Sequence, residues 1–145
     1  MAETLSTVHT IQNLVDGIWC DAASGATLDD TNPADTNDLL GHLPNSDPAD
    51  VDRAVMAARA AFPAWKNLPA PERGKMLRAA GDLMTERKAE IARTMTREMG
   101  KPFSETKGDV QEAIDTAYYT ASETRRLFGH TVPSELPDKF NMSIR

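Results

Sequence analysis

The spacing of apolar residues changes sharply at Asp47, and this change constrains the fold more than any other feature. Before it, short apolar runs alternate with Asp, Asn, Pro and Gly, which is typical of hairpins. After it, apolar residues recur at steps of three and four, the period of an amphipathic helix. We therefore predict hairpins over residues 11–46 and helices over residues 47–129, preceded by a mobile tail at residues 1–10.

Two turn signals divide the region before the helices. The pair Asp16-Gly17 lies between two short apolar, β-prone runs, and an Asp-Gly pair favours a type I′ turn because both central residues need positive φ. A second turn is predicted at Thr31–Asp35, where Asn and Pro supply the geometry. Short strands are expected on either side of it, at residues 27–28 and 39–43.

The first predicted helix begins after Asp47, a good N-cap residue that Pro48 follows. Its apolar residues fall on one helical face, at steps of four and three. These residues are Val51, Val55, Ala58, Phe62 and Trp65. A proline inside a helix removes a backbone hydrogen bond, so we expect this helix to end or fray near Pro63.

Two further helical stretches follow. The second opens at Glu72, is interrupted by a charged run at residues 86–88, and stops at Gly100. It is either two consecutive helices or one kinked helix. Its expected inner face consists of Met76, Leu77, Ala80, Leu83 and Met84. The third stretch starts after Pro102 and is expected to end at Gly129.

The last seven residues, 139–145, alternate between polar and apolar side chains. Phe140, Met142 and Ile144 fall on one face, the pattern of a half-buried strand. No turn or partner strand follows in the sequence. We therefore expect an edge strand that must pair with something else.

A search for catalytic chemistry finds none in the sequence. The three histidines, His9, His42 and His130, fall in the predicted tail and loops, and Cys20 is the single cysteine. There is no paired-His metal spacing and no glycine-rich loop that could cradle a phosphate. We therefore predict no catalytic and no cofactor-binding residue. From the residues alone, the chain is mainly α-helical with N-terminal β-hairpins and a C-terminal edge strand.

The charge and hydropathy of the chain exclude some classes of binding partner. The 145-residue chain has 16 Lys and Arg against 22 Asp and Glu, a formal net charge of −6. An acidic chain lacks the basic surface that binds nucleic acid or anionic membranes. No apolar run approaches the roughly 20 residues of a membrane span, and no signal peptide is visible. We expect no nucleic-acid or membrane partner and a cytoplasmic location.

Several short motifs, in order, resemble the N-terminal part of the aldehyde dehydrogenase superfamily. They are Leu14–Trp19, Thr31–Ala34, Asp50–Val55, Glu98–Pro102 and Gly129–Pro133. The resemblance extends over residues 11–145 and is nearest to the semialdehyde-oxidising members. It implies an α/β parent fold in which residues 139–145 begin a strand that bridges subunits.

The resemblance also implies a reaction, the NAD- or NADP-dependent oxidation of an aldehyde to a carboxylate. In that family a cysteine thiolate forms a thiohemiacetal, a hydride passes to nicotinamide, and the thioester is hydrolysed. The family's catalytic cysteine, general-base glutamate, oxyanion-hole asparagine and nucleotide-binding residues lie beyond Arg145, and Cys20 does not match the catalytic motif. The chain is therefore expected to be a catalytically inert N-terminal segment.

The expected partners are the remainder of the same polypeptide and further copies, which would join through the C-terminal strand. Many family members hold a monovalent cation, and the resembling positions here are Asp30, Thr31 and Glu98. The simpler alternative is that Glu98 caps the helix corner or pairs with Lys101. A rival interpretation of the whole chain is a stand-alone helical binding or scaffold module, which would have no enzymatic activity.

Overall fold

The computed structural model of the protein describes residues 8–144. Its strands are β1 (His9–Thr10), β2 (Asn13–Val15), β3 (Ile18–Cys20), β4 (Thr27–Thr31), β5 (Leu39–Pro44), β6 (Thr131–Pro133) and β7 (Phe140–Met142). Its helices are α1 (Pro48–Asn67), α2 (Ala70–Glu86), α3 (Lys88–Met99) and α4 (Phe103–Glu123). The strands form three small sheets in this part of the chain, in the orders β1-β5-β4, β2-β3 and β6-β7.

Both predicted N-terminal hairpins are present. Strands β2 and β3 pair antiparallel around Asp16 and Gly17, whose φ angles of 52° and 76° are those of a type I′ turn. Strands β4 and β5 form the second hairpin. The predicted end of the mobile tail at residue 10 was wrong, however, because His9 and Thr10 form a strand that pairs parallel with β5. The rest of the predicted tail, residues 1–7, lies outside the described residues.

Helix α1 begins as predicted, with a capping box. The Asp47 side chain accepts from the backbone N–H of Asp50, and the Asp50 side chain accepts from that of Asp47. The predicted end near Pro63 was wrong, since the helix continues to Asn67. Pro63 has no backbone N–H, so the carbonyl of Arg59 loses its donor within the helix. Both residues are exposed. Solvent can therefore satisfy that carbonyl, and the helix continues.

The second helical stretch is two helices, which meet at Arg87 (φ −98°, ψ 12°). Gly100 ends α3 in the left-handed conformation, with φ 69°, as its position predicted. Helix α4 ends at Glu123, six residues before the expected stop at Gly129. Leu127 and Phe128 project into solvent beyond it, so no packing energy favours continuing the helix.

The core lies where α3 and α4 meet, with contributions from α2. Its buried residues are Ala92, Val110 and Ile114, and the half-buried side chains against it are Met84, Ile91, Met95 and Tyr118. The predicted inner face of α2 was wrong at three of its five positions, because Met76, Ala80 and Leu83 are exposed. The helix instead approaches α4 through two buried glycines. At Gly81, a Cβ atom would lie 2.9 Å from Cε1 of Tyr118.

The C-terminal strand has a partner that the sequence did not reveal. Strand β7 pairs antiparallel with β6, and residues 134–139 connect the two strands. At the base of this ribbon, a Cβ atom on Gly129 would overlap the carbonyl oxygen of Ser143, so only glycine fits there. The apolar face remains open in this structure, since Phe140, Met142 and Ile144 are all exposed.

Candidate functional site

The corner after α3 contacts the loop between β4 and β5. A Cβ atom on Gly100 would lie 3.1 Å from Cγ of Pro33 and 3.2 Å from the backbone nitrogen of Ala34. One turn before this corner, Arg97 donates from Nε to Oδ2 of Asp38 (3.0 Å) and from Nη2 to Oδ1 (2.6 Å). This two-point ion pair attaches the loop to the helix.

Hydrogen bonds shift the pKa values of three side chains at this corner. The guanidinium of Arg97 lowers the pKa of the Asp38 carboxyl, and a hydrogen bond from Asn32 lowers it further. In return, Asp38 raises the pKa of Arg97. Lys101 pairs with Asp109, which raises the pKa of Lys101. The structure therefore shows Lys101 paired with Asp109, not with Glu98 as in the simpler alternative above.

The three predicted cation ligands lie on the two segments that meet here. Asp30 and Thr31 end β4 at a β-bulge, where the opposite residue jumps from Gly41 to Leu39. Such a bulge re-aims backbone groups away from the ladder. Glu98 lies in the last turn of α3, exposed, two residues before the glycine corner. Within residues 8–144, no three His, Cys, Asp or Glu side chains cluster closely enough to hold a metal ion.

The candidate nucleophile and bases lie in separate places. Cys20 is half-buried at the end of β3, and its Sγ lies 3.8 Å from Nη2 of Arg53. His42 pairs instead with Asp29 across the β4–β5 hairpin, with 2.8 Å between Nδ1 and Oδ1. Among the described side chains, no hydrogen bond joins Cys20 to a histidine. Cys20 is therefore not paired with a histidine base in this part of the chain.

Sequence analysis missed the structural role of Asp50. Its carboxylate is buried and accepts hydrogen bonds from the backbone N–H groups of Ala23 and Asp47 and from Arg53 Nη2, at 3.0–3.2 Å. It thereby ties the loop after β3 to the start of α1. The capping-box spacing of Asp47 and Asp50 was the only available signal, and it predicts the cap but not the contact with the loop.

An open groove of about 400 Å³ runs between β2 and α1. Its lining is mostly apolar and includes Leu14, Val15, Val51, Ala54, Val55 and Ala58.

The total solvent-accessible surface of the protein is also unusually large. The protein exposes 11073 Å², whereas a compact monomer of this mass exposes about 7,400 Å². The helices within residues 8–144 were also compared with the length and hydropathy of a membrane span, and none of them meets both requirements.

Comparison with known proteins identifies the class. The family model for the aldehyde dehydrogenase family matches residues 19–145. Glutarate-semialdehyde dehydrogenase of Pseudomonas aeruginosa is 42% identical over 88% of this chain, and the NADP(+) succinate-semialdehyde dehydrogenase of Escherichia coli is 41% identical over 88%. The crystal structure of an NAD-dependent aldehyde dehydrogenase from Sinorhizobium meliloti covers 97% of this chain, with a TM-score of 0.89 and 33% identity.

These matches define an oxidoreductase class that acts with NAD or NADP. The chain belongs to the aldehyde dehydrogenase family, and its relatives include semialdehyde dehydrogenases. The short strands and long helices therefore form part of an α/β parent fold, as the motifs predicted. The chain spans about a quarter of the length of these relatives, 26% of each curated relative and 28% of the solved structure.

Proposed function

We propose that this chain is the N-terminal segment of an NAD(P)-dependent dehydrogenase that oxidises an aldehyde or semialdehyde to a carboxylate. The observation that carries the proposal is the family match over residues 19–145, together with relatives of which the chain spans only 26%. The exposed apolar side chains along α1 and β7 support it, because large apolar faces are normally covered.

The substrate class follows from the relatives. The two curated relatives act on glutarate and succinate semialdehydes by name; each of these carries an aldehyde at one end and a carboxylate at the other. We infer the same class, an ω-oxo carboxylate, for the enzyme to which this chain belongs. Both NAD and NADP occur in the relatives' names, so the nucleotide is one of these two.

The segment itself is proposed to be catalytically inert. Nicotinamide would accept the hydride in this chemistry, but residues 8–144 show no glycine-rich loop that could hold its pyrophosphate. The absence of a histidine hydrogen-bonded to Cys20 among these residues also supports the proposal. The segment's contribution is structural: its apolar faces pack on the remainder of the polypeptide, and β7 joins further copies. A cytoplasmic location is part of the proposal, and the single cysteine supports it because it suits a reducing compartment.

A monovalent cation is part of the proposal. Hard cations take carbonyl, hydroxyl and carboxylate oxygens, and Asp30, Thr31 and Glu98 supply these groups. The bulge at the end of β4 and the contact between the next turn and the Gly100 corner support bringing them together. These residues would hold the ion as a structural link between β4 and α3, away from any reacting atom.

The experiment compares the chain alone with a chimera. In the chimera, residues 19–145 replace the matching segment of the Pseudomonas aeruginosa relative. We expect no reduction of NAD or NADP by the chain alone with succinate or glutarate semialdehyde, and turnover by the chimera. Cys20→Ser should leave the chimera's turnover unchanged. A folded but inactive chimera, or Cys20-dependent turnover by the chain alone, would contradict the proposal and favour a stand-alone module or an unrelated chemistry.

A further inference from the structure

Charge is unevenly distributed along the chain. Residues 8–46, which contain β1 to β5 and their loops, include six aspartates and neither lysine nor arginine. Arg53 is the first basic residue of the sequence, and all 16 Lys and Arg lie from that position onward. We call residues 8–46 the acidic region. Its like charges repel one another, so a cation that attaches it to the rest of the structure must come from after Asp52.

One end of the acidic region is held close to its covalent connection with α1. The Asp50 carboxylate accepts a hydrogen bond from the backbone N–H of Ala23, at 3.2 Å to each oxygen. Sγ of Cys20 lies 3.8 Å from Nη2 of Arg53, and β2 borders α1 along the groove. These contacts surround the point where the chain enters α1, so this end has several attachments.

The other end is the β4–β5 loop, residues 32–38, which lies on the last turn of α3. Two contacts hold it there: the two-point ion pair of Asp38 with Arg97, and the close approach of Pro33 and Ala34 to Gly100. None of the seven loop residues is buried. Among residues 8–144, Arg97 is the one Lys or Arg that forms a salt bridge with the acidic region. The loop therefore depends on charge rather than on apolar packing.

Asp38 also organises the loop internally. The backbone N–H of Asn32 donates to the carbonyl of Asp38 (3.0 Å), and Nδ2 of Asn32 donates to the Asp38 carboxylate (3.2 Å). The backbone N–H of Asp38 donates to the carbonyl of Asp35 (2.9 Å). The residue that binds Arg97 thus also closes the loop on itself. Loss of the ion pair should loosen both the attachment to α3 and these internal hydrogen bonds.

We propose that Arg97 holds the β4–β5 loop closed on α3, and that the loop opens as a local unit while the helical core stays folded. Opening breaks the ion pair and the contact with Gly100 but exposes no buried side chain of the loop. The core between α3 and α4 keeps all its packing. Segments with few buried contacts open at a lower free energy than the core. High ionic strength favours the open loop, because salt screens the ion pair.

Amide hydrogen exchange of the 145-residue protein, followed residue by residue by NMR, tests this proposal. The loop reporters are three amides whose acceptors lie within the loop, those of Asn32, Asp35 and Asp38. The core reporters are the amides of Ala92, Val110 and Ile114. Arg97→Gln should speed exchange of the loop reporters about three- to tenfold, as expected for a partly buried two-point ion pair, and leave the core reporters unchanged. Equal acceleration of both sets, or none in the loop, would overturn the proposal.

Arg87→Gln is the matched control. Arg87 makes the same kind of two-point contact, but with Glu90 within the helical region, so its loss should leave the loop reporters unchanged. Arg97→Lys keeps the charge but loses the planar fork, and should give an intermediate exchange rate. Raising KCl from about 0.05 M to about 1 M should speed loop exchange in the parent protein but not in Arg97→Gln. Equal salt effects in the two proteins, or faster loop exchange in Arg87→Gln, would show that the Arg97 ion pair does not hold the loop closed.

Discussion

The hydroxyl pair between α3 and α4 allows a quantitative test of the core. Thr106 is fully buried, and its Oγ1 donates to the backbone oxygen of Phe103 (3.1 Å). The same Oγ1 lies 2.8 Å from Oγ1 of Thr96. Because a hydroxyl has one hydrogen, Thr106 must be the acceptor in the second bond and Thr96 its donor.

The two threonines should therefore respond unequally to valine. Thr106→Val removes both hydrogen bonds, and at about 0.5–1.5 kcal/mol per bond it should cost about 1–3 kcal/mol of unfolding free energy. Thr96→Val removes one bond and should cost about 0.5–1.5 kcal/mol. The shared bond is lost in both single variants, so the double variant should cost less than the sum of the two.

Urea unfolding followed by circular dichroism measures these free energies for the 145-residue protein and its variants. The midpoint should move while the slope with denaturant stays constant, which shows that the unfolded state has not changed. A double variant whose cost equals the sum, within the roughly 0.3–0.5 kcal/mol of ordinary additivity, would refute the shared hydrogen bond. Equal costs for the two single variants would refute the assigned donor and acceptor.

Three further predictions follow from other contacts. Gly81→Ala should lower the unfolding midpoint, because its Cβ would lie 2.9 Å from the ring of Tyr118; an unchanged thermal midpoint would contradict this close approach. Asp38→Asn should flatten the loss of stability below about pH 4, since the paired carboxylate has a lowered pKa and its stabilisation disappears as it is protonated; identical acid titrations would contradict it. Met142→Lys should reduce self-association in sedimentation, because β7 exposes an apolar face; an unaffected oligomer would contradict a role for this strand.

The elements that sequence analysis predicted well are those set by neighbouring residues. The positive φ angles of Asp16 and Gly17, the cap at Asp47 and the left-handed stop at Gly100 all follow from local backbone chemistry. The end of α4 was missed because the apolar pattern continued through Leu127 and Phe128, which nothing in residues 8–144 buries. Pairing of β6 with β7 was missed for a different reason, because sequence analysis looked for a partner strand only after β7, whereas β6 precedes it.

The candidate site divides in the same way. Its motifs placed Thr31 and Glu98 on the two segments that the structure brings together, and the Gly100 corner makes that contact. The ion pair of Arg97 with Asp38 was not predicted, since it joins residues 59 positions apart. No periodic pattern signals a pair of single charges at that separation. Only the folded loop between β4 and β5 brings the carboxylate to the helix.

Amphipathic spacing predicts that a helical face will be buried but does not specify the partner. Helix α4 buries Val110 and Ile114 almost completely, whereas α1, with equally regular spacing, leaves Val51 and Phe62 more than half exposed. A partner that binds only the folded chain stabilises it in proportion to the logarithm of its concentration. When the partner belongs to the same polypeptide, its effective concentration is high and fixed. If the chain is the N-terminal segment proposed above, the stability of α1 should therefore depend on covalent linkage to the rest of that polypeptide.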